Sequence, residues 1–177
     1  MIRLTDSFKS EVKKMIKNDS SGGFAIFLSF VAALFLSILP LPDGINLFKP
    51  DWVALVLIYW VMAMPNRVGV LIGWSVGIVA DVLYGTLFGI NAMSLALVAY
   101  LIQLLYHRLR LFPRWKQSIN IGVVIGIHML LGLILRKFIQ PISFDFSYWF
   151  PVFTSLLFWP WVFIILRDVR RNFCKDG

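Results

Sequence analysis

The sequence predicts an all-α integral membrane protein with six transmembrane helices, and three observations carry that expectation. Of 177 residues, 59% are hydrophobic and 15% are charged, whereas soluble domains carry about 25% charged residues. The apolar residues form long continuous runs rather than ten-residue alternations. Lipid admits only helices or closed barrels, so such runs are helices. The lysines and arginines collect between the runs, where they orient a multi-pass protein. That placement accounts for the net charge of +8 without a nucleic-acid partner. The mean hydropathy is +0.81, and the length suits one domain.

Residues 1–22 are polar and basic. Phe8, Val12, Met15 and Ile16 recur at helical spacing among Lys9, Lys13, Lys14 and Lys17. The segment reads either as an amphipathic helix on an anionic membrane face or as a disordered basic tail. It does not read as a signal peptide. The first span covers about 23–41 and is closed by Pro40 and Pro42. Pro50 suits the first turn of the second helix, and Asp51 complements its positive end.

Residues 52–80 hold two apolar blocks split by Pro65-Asn66-Arg67. They fit one kinked helix or a tight hairpin, and Pro65 favours a fresh start after it. Charge decides between them. With six spans, about 23–41, 50–65, 66–84, 91–106, 118–135 and 148–166, 14 lysines and arginines fall on one side and three (Lys49, Arg136, Lys137) on the other. With one span over 52–84, the basic loop 107–117 would face away from the basic N-terminus. The six-span count places both termini in the cytoplasm. The membrane domain is then 23–167, and 168–177 is a basic cytoplasmic tail. Trp52, Trp74, Trp115, Trp149, Trp159 and Trp161 mostly fall near span ends, as interfacial aromatics do. The single cysteine, Cys174, reads as a free cytoplasmic thiol.

Gly69, Gly73 and Gly77 repeat every four residues, and Asp81, Gly85 and Gly89 continue the step. Each step rotates about 40° around a helix, so three or four members share a face. Such a face admits close backbone approach, either by another helix of the bundle or by another membrane protein. Gly122 and Gly126 form a second pair. Asp81 is an intramembrane acid and so a functional candidate by default. A proton relay needs companions, and the spans supply only His128. A carboxylate pair needs a second acid, and Asp51 is the one conceivable partner. An ion pair with Arg136 or Lys137 is simpler. Simplest is hydrogen bonding to backbone where the helix breaks before Gly85. His128, alone in mid-span, reads as a neutral core residue rather than a metal ligand. Hydrolase, metalloprotease and P-loop motifs are missing, and the chain reads as no enzyme, with no cofactor.

Three stretches, L-P-D-G-I-N-L-F-K-P-D-W-V-A-L-V-L-I-Y-W-V-M-A-M-P-N-R-V, G-I-V-A-D-V-L-Y-G-T-L-F-G and L-F-W-P-W-V-F-I-I-L-R-D-V-R, resemble the rod shape-determining MreD family in its gammaproteobacterial form. The resemblance covers about 24–173. It implies an inner-membrane, non-catalytic scaffold of the lateral cell-wall elongation complex. It also implies binding to the rod-shape protein MreC, with the actin-like MreB, a membrane glycosyltransferase, a class B penicillin-binding protein and membrane lipids as further partners. The implied six-helix fold is similar to the substrate-binding subunits of energy-coupling-factor transporters. A solute- or lipid-binding transporter subunit is accordingly the alternative function. Pro50, Asp51, Trp52, Pro65, Arg67, Asp81, Gly85, Gly89, Trp159 and Pro160 fall on the family's motifs. Asp81, Gly85 and Gly89 are expected to serve fold or partner contact.

Overall fold

A computed structural model describes residues 22–40, 48–139 and 146–173. The expectations for residues 1–21, Pro42 and Cys174 lie outside that range. The described residues contain six helices and no strand: α1 (Gly22–Ile38), α2 (Trp52–Ala63), α3 (Val70–Tyr84), α4 (Ile90–Leu111), α5 (Arg114–Ile139) and α6 (Phe150–Phe173). A 3-10 turn, Phe146–Trp149, leads into α6. Three helices (α4, α5 and α6) are long and apolar enough to cross a membrane, and α1, α2 and α3 are shorter apolar helices.

The helices alternate in direction. Ser37 at the end of α1, Asp51 before α2, Tyr84 at the end of α3, Asn91 starting α4, Arg136 late in α5 and Pro151 early in α6 all line one cavity. Ala63, Phe112, Gln117 and Arg167 meet at the other end. The break between α2 and α3 is where Pro65 puts it. The Met64 carbonyl accepts the N–H groups of Arg67 and Val68 at 3.0 and 2.9 Å, which turns the chain back within a few residues.

α2 is the central helix. It is apolar all round, and Val53 to Met62 are all buried, as a helix without a polar face must be. It packs on α4 and α6, and α4 packs on α3 and α5. α1 is pinned to α2 by the Trp60 indole N–H, which donates to Ser29 Oγ at 2.7 Å. Tyr59 meets Phe163 of α6 edge-on at 5.5 Å.

The glycine ladder of α3 is covered by α4. A Cβ on Gly77 would lie 2.4 Å from Ala92 Cα, and one on Gly73 would lie 2.9 Å from the Leu95 carbonyl oxygen. A Cβ on Gly69 would meet the Gln103 side chain at 2.9 Å. These positions descend α3 as their partners ascend α4, so the two helices are antiparallel. Gly122 likewise faces Leu156 of α6, while a Cβ on Gly126 would have nothing within 4 Å.

Three features differ from the sequence expectation. α4 runs on to Leu111 and α5 begins at Arg114, so most of the basic loop 107–117 is helical. Leu109 is buried there at 1% exposure, which gives the extra turn an apolar contact. α6 similarly continues to Phe173. Trp159 is fully buried rather than interfacial. Its indole reaches Gln117 Oε1 at 3.5 Å, and the Gln117 amide reaches the Leu109 carbonyl at 3.4 Å. Its neighbour Pro160 stands inside α6, where neighbouring helices tolerate the missing N–H.

The close approach of α3 and α4 gives a graded expectation. Gly77→Ala forces a methyl into Ala92 backbone and should destabilise by about 1–3 kcal/mol or more. Gly69→Ala displaces only the end of Gln103 and should change stability by about 0.5 kcal/mol or less. Thermal unfolding of both variants in detergent checks the order.

Candidate functional site

The stretch after α3 forms two helix caps in succession. Gly85 takes φ 62°, the left-handed conformation that ends a helix. Its N–H reaches the Val82 carbonyl at 3.4 Å, and the Thr86 N–H reaches the Asp81 carbonyl at 3.1 Å. Gly89, at φ 102°, precedes α4. Both conformations strain any residue with a Cβ, which explains glycine at both places.

Asp81 is fully buried beside this turn. Its Oδ1 accepts from Thr86 Oγ1 at 2.8 Å, the Asn91 backbone N–H at 3.0 Å and Asn91 Nδ2 at 2.9 Å. Its Oδ2 accepts from the Gly89 N–H at 2.9 Å and the Ala92 N–H at 3.3 Å. The first N–H groups of any helix lack partners inside it and carry partial positive charge. Asp81 therefore caps α4 from the preceding helix. A bare buried carboxylate is prohibitive, and this one has five donors. Neither Arg136 nor Lys137 is among them.

Asp51 holds a second polar cluster. Its Oδ1 accepts the Ala54 N–H at 3.1 Å as the N-cap of α2. Its backbone N–H donates to Ser155 Oγ of α6 at 3.0 Å. Its Oδ2 lies 3.0 Å from His128 Nε2. The two acids, Asp51 and Asp81, thus have separate partners and form no carboxylate pair. The sequence singled out Asp51 and His128 separately but not their contact. Its only trace was that each was a lone polar group needing a partner. Among the described residues no three His, Cys, Asp or Glu side chains gather around a metal-sized space.

Between the helix ends lies a cavity of about 230 Å³ lined by Lys49, Asp51, Tyr84, His128, Arg136 and Tyr148, among others. Lys49 Nζ donates to the Ser37 and Leu39 carbonyls at the end of α1. Tyr148 donates to the Met129 carbonyl at 3.2 Å. Asp81 does not line this space, although its neighbours Ala80 and Asn91 do.

The other sequence candidates are scattered. Pro50 is buried at the start of α2, and the Trp52 ring packs edge-on against Phe158 at 5.6 Å. The Pro65 carbonyl accepts Gln103 Nε2 at 3.4 Å. Arg67 is exposed at the opposite end of the bundle from Asp81.

With six packed helices and these motif residues at their turns, the comparison with known sequences is decisive. The family model described as rod shape-determining protein MreD matches residues 18–169. The chain belongs to the MreD family. A curated relative, the rod shape-determining protein MreD of Haemophilus influenzae (strain ATCC 51907 / DSM 11121 / KW20 / Rd), is 37% identical over 151 residues. That alignment spans 84% of this chain and 92% of the relative, which fits the gammaproteobacterial type. No solved structure matches. The MreD match runs from before α1 to within a few residues of the end of α6, so it takes in both polar clusters.

The capping geometry makes Asp81 a stability residue. Asp81→Ala leaves the N–H groups of Gly89, Asn91 and Ala92, half-buried or buried, without their acceptor and should destabilise by on the order of 2–4 kcal/mol. Asp81→Asn keeps one oxygen and should fall between. Hydrogen exchange at those three amides should speed up more than exchange across α5.

Proposed function

We propose that this chain is a non-catalytic scaffold of the lateral cell-wall elongation complex in the bacterial inner membrane. It crosses six times with both termini cytoplasmic. It binds MreC and, with it, MreB, a membrane glycosyltransferase and a class B penicillin-binding protein. Family membership supports the rod-shape role. The observation that carries the non-catalytic reading is the engagement of the acids. Both oxygens of Asp81 are held by helix-capping donors, and both of Asp51 by Ala54 and His128. Each acid thus has a structural task, Asp81 as the cap of α4 and Asp51 as the cap of α2 and the partner of His128.

Alternating helix direction and the charge count support six crossings. The short helices need a physical account. At 1.5 Å per residue, α2 with 12 residues spans about 18 Å, against a hydrocarbon core of about 30 Å. α2 is sheathed by other helices and meets no lipid, so its length is free. α3, with 15 residues, exposes Leu71, Val79 and Val82, and local thinning accommodates it. The likeness to energy-coupling-factor subunits belongs to this proposal as an analogy of fold. A transporter subunit that binds a solute is the second reading, and the polar cavity favours it. Its volume of about 230 Å³ falls below the roughly 300–1,000 Å³ of ligand pockets, which disfavours a vitamin-sized solute.

Depletion of the protein from a rod-shaped host should round the cells, and MreC should co-purify with the tagged chain. Rods that persist on depletion, with no wall-synthesis protein captured, would refute the proposal. Single cysteines introduced into a Cys174→Ser background test the topology. A cysteine at Asn66 should react with a thiol reagent only after the inner membrane is opened, and one at Phe88 should react in intact spheroplasts.

A further inference from the structure

We infer that the polar cavity at the Asp51 end of the bundle is a binding site for a phosphate group, supplied by a lipid headgroup or by free phosphate. Four observations carry it. First, among the described residues the cavity has a single carboxylate. That group, Asp51, already serves Ala54 and His128, and Asp81 is turned toward α4. Second, Arg136 lines the cavity without an ion pair or hydrogen bond to any described residue, and its Nε is buried and unsatisfied. Arg136 is half-buried, and a buried N–H without an acceptor is costly unless a ligand supplies one. Its donor fork matches phosphate oxygens.

Third, Lys49 stands on the same wall, with its ammonium fixed by the Ser37 and Leu39 carbonyls. That leaves a further N–H and the whole charge for a ligand. Fourth, His128 is only 8% exposed. Its Nε2 is taken by Asp51, and its Nδ1 is buried without a partner. Among the described residues, two cations against one engaged carboxylate select an anion. The volume, about 230 Å³, holds a phosphate with a few waters at about 30 Å³ each. The helix ends put the site level with the headgroups of one leaflet. That level rests on the six-span reading, whereas the residue cluster does not.

The test uses the full chain, purified in detergent and washed free of bound lipid. Native mass spectrometry measures retention of added phosphatidylglycerol against phosphatidylcholine, whose choline cancels the phosphate charge. Thermal unfolding with inorganic phosphate, against chloride at equal ionic strength, tests the free anion. Wild-type protein should hold one phosphatidylglycerol selectively, or be stabilised by phosphate, or both. The first response alone names the lipid as source, and the second alone names the free anion. Arg136→Gln should weaken the response about tenfold, and Arg136→Lys should restore part of it. Lys49→Gln provides a second reading should Arg136→Gln not fold, with an expected loss of about threefold. Lys116→Gln, exposed at the opposite end, should have no effect. Equal retention of the two lipids with no phosphate stabilisation overturns the inference, as does a response unchanged in the folded Arg136 and Lys49 variants. Cell rounding on depletion is a separate readout, so the scaffold proposal and the phosphate site can fail independently.

Discussion

Everything around α3 and α4 depends on one carboxylate answering the unpaired N–H groups at the start of a helix. Each half of that contact is unfavourable alone. A bare aspartate inside an apolar bundle is strongly penalised, and so are helix-start amides removed from water. Together they satisfy each other, and Thr86 and the Asn91 side chain fill the remaining positions on Asp81. The contact fixes how α3 hands over to α4. The two left-handed glycines make the turn sharp enough for α4 to come straight back, and the Gly69-Gly73-Gly77 face lets it lie close along the return. Turn, cap and glycine face form one device, and losing the cap would loosen all three.

Among the described residues, four buried polar side chains (Asp81, Ser94, His128 and Ser155) gather at one end of the bundle, with Gln117 and Ser118 buried at the other. α2 fills the middle with ten consecutive buried residues. The outward faces of α1, α3 and α6 carry exposed Phe, Leu, Val and Ile, as lipid-facing surfaces do. Asp51 ties the start of α2 to α5 through His128 and to α6 through Ser155. The two acids therefore close the same end of the bundle, one in α3–α4 and one in α2–α5–α6. The cavity lies between these ties.

The sequence disclosed the helices and their breaks because both are local. Pro65 and the Gly85–Gly89 turn interrupt apolar runs, and no distant contact is needed to see it. The partners of Asp81 lie within eleven residues of it, so a capping role was readable beside the others. What the ladder packs against was not readable. Four-residue glycine spacing shows a small face but not whether the chain's own α4 or another protein covers it. The Asp51–His128 contact was invisible because it joins distant segments. Trp159 misled for a similar reason. Proximity to a span end suggests an interfacial ring, but Gln117 of α5 gives its indole a buried partner. Helix bounds erred where basic residues continue a helix past the apolar run, since charge marks the membrane edge and not the helix end.

The most direct test of the central claim is a double-mutant cycle between Asp81 and Asn91, read by reversible unfolding in mixed micelles. If the carboxylate holds the start of α4, Asp81→Ala and Asn91→Ala should be coupled by about 0.5–3 kcal/mol, with Asp81→Ala much the more damaging alone. Additive effects, or an Asp81→Ala protein as stable as wild type, would contradict the account and return Asp81 to the candidates for chemistry or partner binding.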